Sequence, residues 1–258
     1  MKVRWNMRIR TIVTAAVLVL LTQIAGAQPG ALRVLSSNGM KAVVDDMRAQ
    51  LERELGRPLA IQFGTTASLR QRIESGETFD VTILTTEAVD SLAKSGKIAA
   101  ASVSPLGRAG VGVGVRAGTK KPAIGTADEI KRTLLAAKSV TWVGVGASRP
   151  TIERMLGTLG ITNEVQAKLE LAPGSEAATE EVAAGHVEIV LTLASEILPA
   201  PGVDYVGPLP AELQGYVSFA AGVGASSSAT ADGARFILSL RARSAAKTYE
   251  ANGMELAQ

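Results

Sequence analysis

One turn chemistry recurs three times along the chain, each time between the end of a β-prone apolar run and the start of an amphipathic helical run. The three stretches are Ser36-Ser37-Asn38-Gly39, then Gly64-Thr65-Thr66-Ala67-Ser68, then Gly144-Val145-Gly146-Ala147-Ser148-Arg149-Pro150. A strand that hands over to a helix through glycine and hydroxyls is half of a βαβ unit. Repetition of that unit calls for a parallel sheet with helices on its faces and with all such turns along one edge. Ligands of open α/β sheets bind beyond the carboxyl ends of the strands, where these turns lie.

Phe63–Thr86 shows the unit most fully. Ile61 and Phe63 alternate with Gln62 and run into Gly64, as at a strand end. Thr65, Thr66 and Ser68 crowd the start of a helix carrying Leu69 and Ile73 inward, and Gly76 stops it. Phe79, Val81, Ile83 and Leu84 follow as a strand covered on both faces. Free N–H groups and hydroxyls at such a helix start attract an anion. A single turn of this kind is explained by helix capping alone. Three at matching topological positions would assemble a neutral donor cluster suited to a small, dehydrated oxyanion.

The first 27 residues read as a cleaved signal peptide. Lys2, Arg4, Arg8 and Arg10 precede the apolar Ile12–Leu21, and Ala25-Gly26-Ala27 offers small residues for cleavage before Gln28. Removing these four cations takes the formal charge of +3 to −1. The remainder has no basic stripe interleaved with aromatics, so nucleic acid is not expected as a partner. With no cysteine and one histidine, neither a disulfide framework nor a soft-metal site is expected, nor a cofactor. The product should be a soluble, monomeric protein of the periplasm.

The order β-α-β-α-β-α runs from Leu32 to about Ser95. Leu106–Val115, in which Gly alternates with Val, then reads as an extended segment leaving a first domain, its glycines permitting close backbone approach or a bend. Tyr216–Val223 is a second such segment. The expectation is an α/β fold of two domains around a cleft. Residues 28–112 and 217–258 form the first, discontinuous domain and residues 113–216 the second, with hinges at Gly110–Gly114 and Tyr216–Gly222.

Enzyme signatures are poor. Gly146-Ala147-Ser148-Arg149-Pro150 approaches the nucleophile elbow, but Pro150 stands where the last glycine is required. His186, the one histidine, lies between a helix-closing Gly185 and a strand. An exported serine hydrolase using Ser148 and His186 is therefore the minor alternative, and no enzyme is expected.

The signal peptide, V-L-S-S-N-G-M-K at 34–41, F-G-T-T-A-S-L at 63–69 and the Gly-Ala-Ser-Arg-Pro turn together resemble periplasmic substrate-binding proteins of the type II fold, close to the molybdate-binding family of ABC importers. The resemblance runs from about Leu32 to Met254. It implies a receptor that closes on a small oxyanion, molybdate or tungstate, and delivers it to a membrane permease. Carried over by position, the family's first oxyanion serine falls at Gly39, with Ser37 and Asn38 before it, and the second falls at Thr66. Backbone donors of the third turn fall near Ala147 and Ser148, and a tyrosine donor falls at Leu193, beside Thr192. Two side-chain donors are thus replaced. A receptor for a small organic acid, with Arg149 pairing a carboxylate, stands as the alternative.

Overall fold

A computed structural model describes residues 30–257; the signal peptide read at 1–27 lies outside the described residues. In chain order the first part comprises β1 (Leu32–Ser37), α1 (Lys41–Leu55), β2 (Leu59–Gly64), α2 (Thr66–Glu74), β3 (Val81–Thr85) and α3 (Thr86–Lys94). The long β4 (Ser104–Arg116) leads to α4 (Ala127–Ala136), β5 (Val140–Val143), α5 (Arg149–Leu159), α6 (Thr162–Gln166) and β6 (Leu169–Ala172). Next come α7 (Ser175–Ala184), β7 (Ile189–Leu193), α8 (Ala194–Ile197) and β8 (Val203–Pro208). The chain ends with β9 (Tyr216–Val223), α9 (Thr230–Leu240), α10 (Ala246–Ala251) and β10 (Met254–Leu256).

The architecture is α/β, as the βα pattern requires. β1 pairs in parallel with β2 and β3, and β5 pairs in parallel with β6 and β7. These two parallel half-sheets are joined by antiparallel strands in the order β2-β1-β3-β9-β4-β7-β5-β6. β4 serves both. Through Gly110 it pairs with β9, and from Val111 onward it pairs with β7, so it leaves one half-sheet for the other within a single strand.

Gly112 and Gly114 allow close packing there. A Cβ on Gly114 would lie 2.7 Å from Val190, 2.9 Å from Val203 and 3.0 Å from Ile197. The Gly/Val alternation provides this close approach, and the β4–β8 ladder shifts register between Val113 and Gly114 within it.

Strands β3, β5 and β7 are largely apolar runs buried on both faces, and β1 is too apart from the exposed Arg33, the pattern expected where helices cover both sides of a parallel sheet. Helix stops were legible at Gly160 and Gly185, which take φ of 65° and 80°, a left-handed conformation that a side chain disfavours. Four short elements carry no periodic signal in the sequence: α6, β6, α8 and β10. β6 is an edge strand with Glu170 and Leu171 exposed, and α8 and β10 span 4 and 3 residues. Periodicity needs more residues than these supply. No helix among the described residues is long and apolar enough to cross a membrane.

Candidate functional site

The carboxyl ends of β1, β2 and β5 bring the three turns together. Ser37, Asn38, Thr65, Thr66, Gly146 and Ala147 line one enclosed cavity of about 20 Å³. Val143, Ser175, Leu193 and Glu196 complete its wall. That volume holds roughly one water molecule. The cavity shares wall residues with two open pockets. One, of about 630 Å³, shares Thr66 and Ala147 and adds Arg70, Thr85, Thr151 and Ser218. The other, of about 370 Å³, shares Asn38, Ser175 and Glu196 and lies against Lys41, Asp45 and Glu176.

Each turn positions its groups by its own local chemistry. Thr65, not Thr66, caps α2: its Oγ1 accepts from the Ser68 N–H at 3.1 Å. This leaves the Thr66 hydroxyl at the first helical position, where it accepts only a long bond, 3.4 Å, from the Thr85 N–H. Asn38 opens a 3-10 turn that leads into α1 without a side-chain cap, so its amide is not consumed by the helix. In the third turn the Gly146 N–H bonds back to Val143 O at 3.1 Å, which presents Gly146 and Ala147 to the cavity.

Several expected residues are placed elsewhere. Ser148 is buried at the start of α5 and is not part of the cavity wall. Arg149 turns back on its own turn, donating from Nη1 to Gly144 O at 2.5 Å and from Nε to Glu153 Oε1 at 2.7 Å. It lines none of the three spaces and so does not stand ready to clamp a carboxylate. Gly39 also lies off the cavity. A Cβ there would overlap the Phe219 ring and come within 3.0 Å of Leu193, so this backbone leaves no room for the serine that the family pattern calls for. Its carbonyl instead accepts from Ser195 Oγ at 2.8 Å, a buried bond between residues 156 apart. Thr192 is fully buried, and its hydroxyl donates to Glu196.

Glu196, which with Thr192 and Ser195 follows the β7 run within reach of the cleft by its place in the sequence, enters the cavity wall; Ser175 is the residue the sequence reading missed. Among the described residues, Glu196 is the only ionisable group lining this cavity. Burial pushes its carboxyl above the usual range, against the opposing pull of hydrogen bonds from Thr192, Ser175 and the Leu193 N–H. A signal existed: Glu at the third helical position reaches back to the N–H preceding its helix, here at 3.4 Å. In a four-residue helix that pattern has no periodic run to mark it.

The Ser148–His186 pair of the hydrolase alternative is not assembled. Ser148 follows the end of β5, whereas His186 precedes the start of the parallel β7, at the opposite edge of the sheet. One strand length, roughly 15 Å, separates those edges. His186 is exposed and bonded through Nδ1 to Glu181 at 2.8 Å. Among the described residues no cluster of His, Cys, Asp and Glu could hold a metal ion.

The model of a family described as bacterial extracellular solute-binding protein matches residues 32–255. An aconitate isomerase from Pseudomonas sp is 30% identical over 259 residues, covering 96% of this chain and 97% of that protein. Among solved structures, the periplasmic molybdate-binding protein of Azotobacter vinelandii superposes with a TM-score of 0.73 at 16% identity, covering 88% of this chain and 100% of the other. PEB3 of Campylobacter jejuni with bound L-phospholactate gives 0.65 at 15% identity, covering 87% and 99%. At these identities the structures establish a shared fold.

Proposed function

Because the chain belongs to the bacterial extracellular solute-binding protein family, whose members bind a small ligand and pass it to a membrane permease, we propose that it is the periplasmic receptor of an ABC importer for a small organic acid. The observation that carries this reading is the convergence of three βα turns on one cavity whose donors are all neutral. Such a site favours a compact anion, because N–H groups at helix starts replace its hydration shell.

Two features favour a carboxylic acid over a tetrahedral oxyanion. Gly39 and Leu193 supply no side-chain donors where the molybdate family pattern has them, and Glu196 adds an acceptor. The extensive similarity to an aconitate isomerase points the same way. Molybdate or tungstate is the alternative ligand. In place of Arg149, the cations in the walls of the adjoining pockets are Arg70, paired with Glu74 at 2.7 Å, and Lys41, paired with Asp45 at 2.8 Å.

The cavity is too small for any such acid, so binding requires the two half-sheets to part and close again. We place the two lobes at 28–112 with 217–258 and at 113–216. β4 and the entry to β9 are the connections between them.

The test is calorimetry and thermal unfolding of the chain from residue 28 onward with succinate, citrate, aconitate, sulfate and molybdate. A ligand at a hundred times its dissociation constant adds about 2.7 kcal/mol. Stabilisation by one or more carboxylates is expected, and a response to molybdate or sulfate alone overturns the organic-acid reading. Thr66→Val should weaken the bound acid about 10- to 100-fold without loss of fold; binding equal to wild type would remove that hydroxyl from the site.

A second reading, isomerisation of the acid in the cleft, is favoured by the relative aligned along nearly the whole chain and by a carboxyl group in the cavity wall. Proton NMR of aconitate incubated with the protein in D2O tests it. Deuterium appearing on carbon together with the other geometric isomer would establish turnover, and an unchanged spectrum would leave a receptor.

A further inference from the structure

We propose that Glu196 makes the cleft a proton-sharing site: an anionic ligand is held with one proton between its own oxygen and the Glu196 carboxyl. The proposal rests on the anion-receptor reading above and adds the protonation state in which the ligand is bound.

The geometry is that of a donor cluster with one misfit. The cavity wall offers Ser37, Asn38, Thr65, Thr66 and the Ala147 backbone, all suited to an anion. Into the same wall comes one carboxylate, and among the described residues no cation lines that wall. Two carboxylates, or a carboxylate and an oxyanion, cannot both stay ionised at contact distance in a partly desolvated cavity. A single proton resolves the conflict, turning a repulsive pair into a short charge-assisted hydrogen bond.

The side chain is held for this by its surroundings. Thr192 donates to it, Ser175 lies beside it, and the Leu193 N–H caps it at 3.4 Å. These donors favour the ionised form, but burial outweighs them and holds the carboxyl above its ordinary value.

The charged groups facing Glu196 come from two elements. Across the 370 Å³ pocket, α1 presents Lys41, Asp45 and Asp46, and α7 presents Glu176 and Glu180. Lys41 is engaged with Asp45 at 2.8 Å and approaches Glu176 at 3.9 Å. The net field on that side is negative, and it adds to the preference for a proton on Glu196. No ionisable group faces it from α2 or the β5–α5 turn across the enclosed cavity.

The step balances simply. An ionised ligand oxygen and the Glu196 carboxylate take up one proton from solvent, and no bond between heavy atoms forms or breaks. Anions that bring a proton of their own release this requirement, so the site selects partly protonated acids over fully ionised tetrahedral dianions.

Titration calorimetry of the wild-type protein in two buffers of different ionisation enthalpy, from pH 5.5 to 8 and with the same five anions, counts the protons. The expected result is uptake approaching one proton per ligand at the upper end, with affinity falling up to tenfold per pH unit. Glu196→Gln supplies a fixed amide donor; it should bind with uptake near zero and a flat pH profile. A role limited to capping α8 would change stability but move neither the proton count nor the profile.

Carboxylate binding to the wild-type protein without proton uptake would overturn the role of Glu196 and leave the organic-acid reading intact. Uptake of equal size in the glutamine variant would also overturn it. Uptake accompanying only sulfate or molybdate would keep Glu196 and remove the organic acid. Absence of binding by all five anions in both proteins would overturn both.

Discussion

Gly39 illustrates how one side chain elsewhere decides what a turn can do. The Phe219 ring occupies the space that a Cβ at position 39 would need, and Leu193 closes the other side. The turn therefore contributes Ser37 and Asn38 to the cavity, while its glycine contributes a carbonyl to Ser195. Gly39→Ser is expected to cost about 1–3 kcal/mol, the usual penalty of forcing atoms into a packed site. In a Phe219→Ala background the same substitution should cost far less, because the overlap is gone. Urea unfolding of the four proteins of that cycle measures the coupling. A cost independent of Phe219 would show that the ring is not the obstacle.

At the scale of elements, the sheet is secured at the end remote from the turns. Asp80, immediately before β3, accepts from the Arg33 N–H of β1 at 2.9 Å and from Ser227 Oγ, beyond β9, at 2.7 Å. One buried carboxylate thus ties three adjacent strands. Burial raises its pKa, but the Arg33 N–H, Ser227 and the Arg33 guanidinium outweigh burial and hold it below the usual range. Its folded-state value is depressed, so the stability it contributes is present above the unfolded value of about 3.9 and is lost as pH falls through the folded one. Thermal unfolding between pH 7 and 2.5 should show this loss. Asp80→Asn should be about 1.5–3 kcal/mol less stable at pH 7 and should lose less on acidification. Parallel pH curves for the two proteins would assign the acid sensitivity to other groups.

At the scale of the molecule, on the two-lobe reading proposed above this conformation is the closed one: the cavity between the turns holds about 20 Å³, and a buried hydrogen bond runs from Ser195 of α8 to the Gly39 carbonyl after β1. If binding draws on the closed state, weakening that bond reduces the closed population and with it the affinity for any ligand. Ser195→Ala should weaken binding roughly two- to tenfold, the loss expected for one buried hydrogen bond, without changing which anion is chosen. Small-angle scattering should give a larger radius of gyration for the unliganded variant. Unchanged affinity and unchanged scattering would mean that this contact does not hold the lobes together.

The α/β class, the three βα turns and the long Gly/Val strand followed from the sequence alone. They are written in contiguous residues, as periodicity and as the local chemistry of helix starts and stops. Ser37, Asn38, Thr66 and Ala147 could be named for the same reason: each sits where a strand ends and a helix begins. Only the tertiary structure decided that Arg149 folds back on Gly144, that Phe219 fills the space above Gly39, and that Glu196 and Ser175 enter the cavity wall. For Gly39 the deciding contact is with a residue 180 positions away, set by how the strands pack. For Arg149 it is side-chain direction within its own turn, and for Glu196 and Ser175 it is the meeting of two separate helix starts at one wall; none of these is recorded by hydrophobic periodicity.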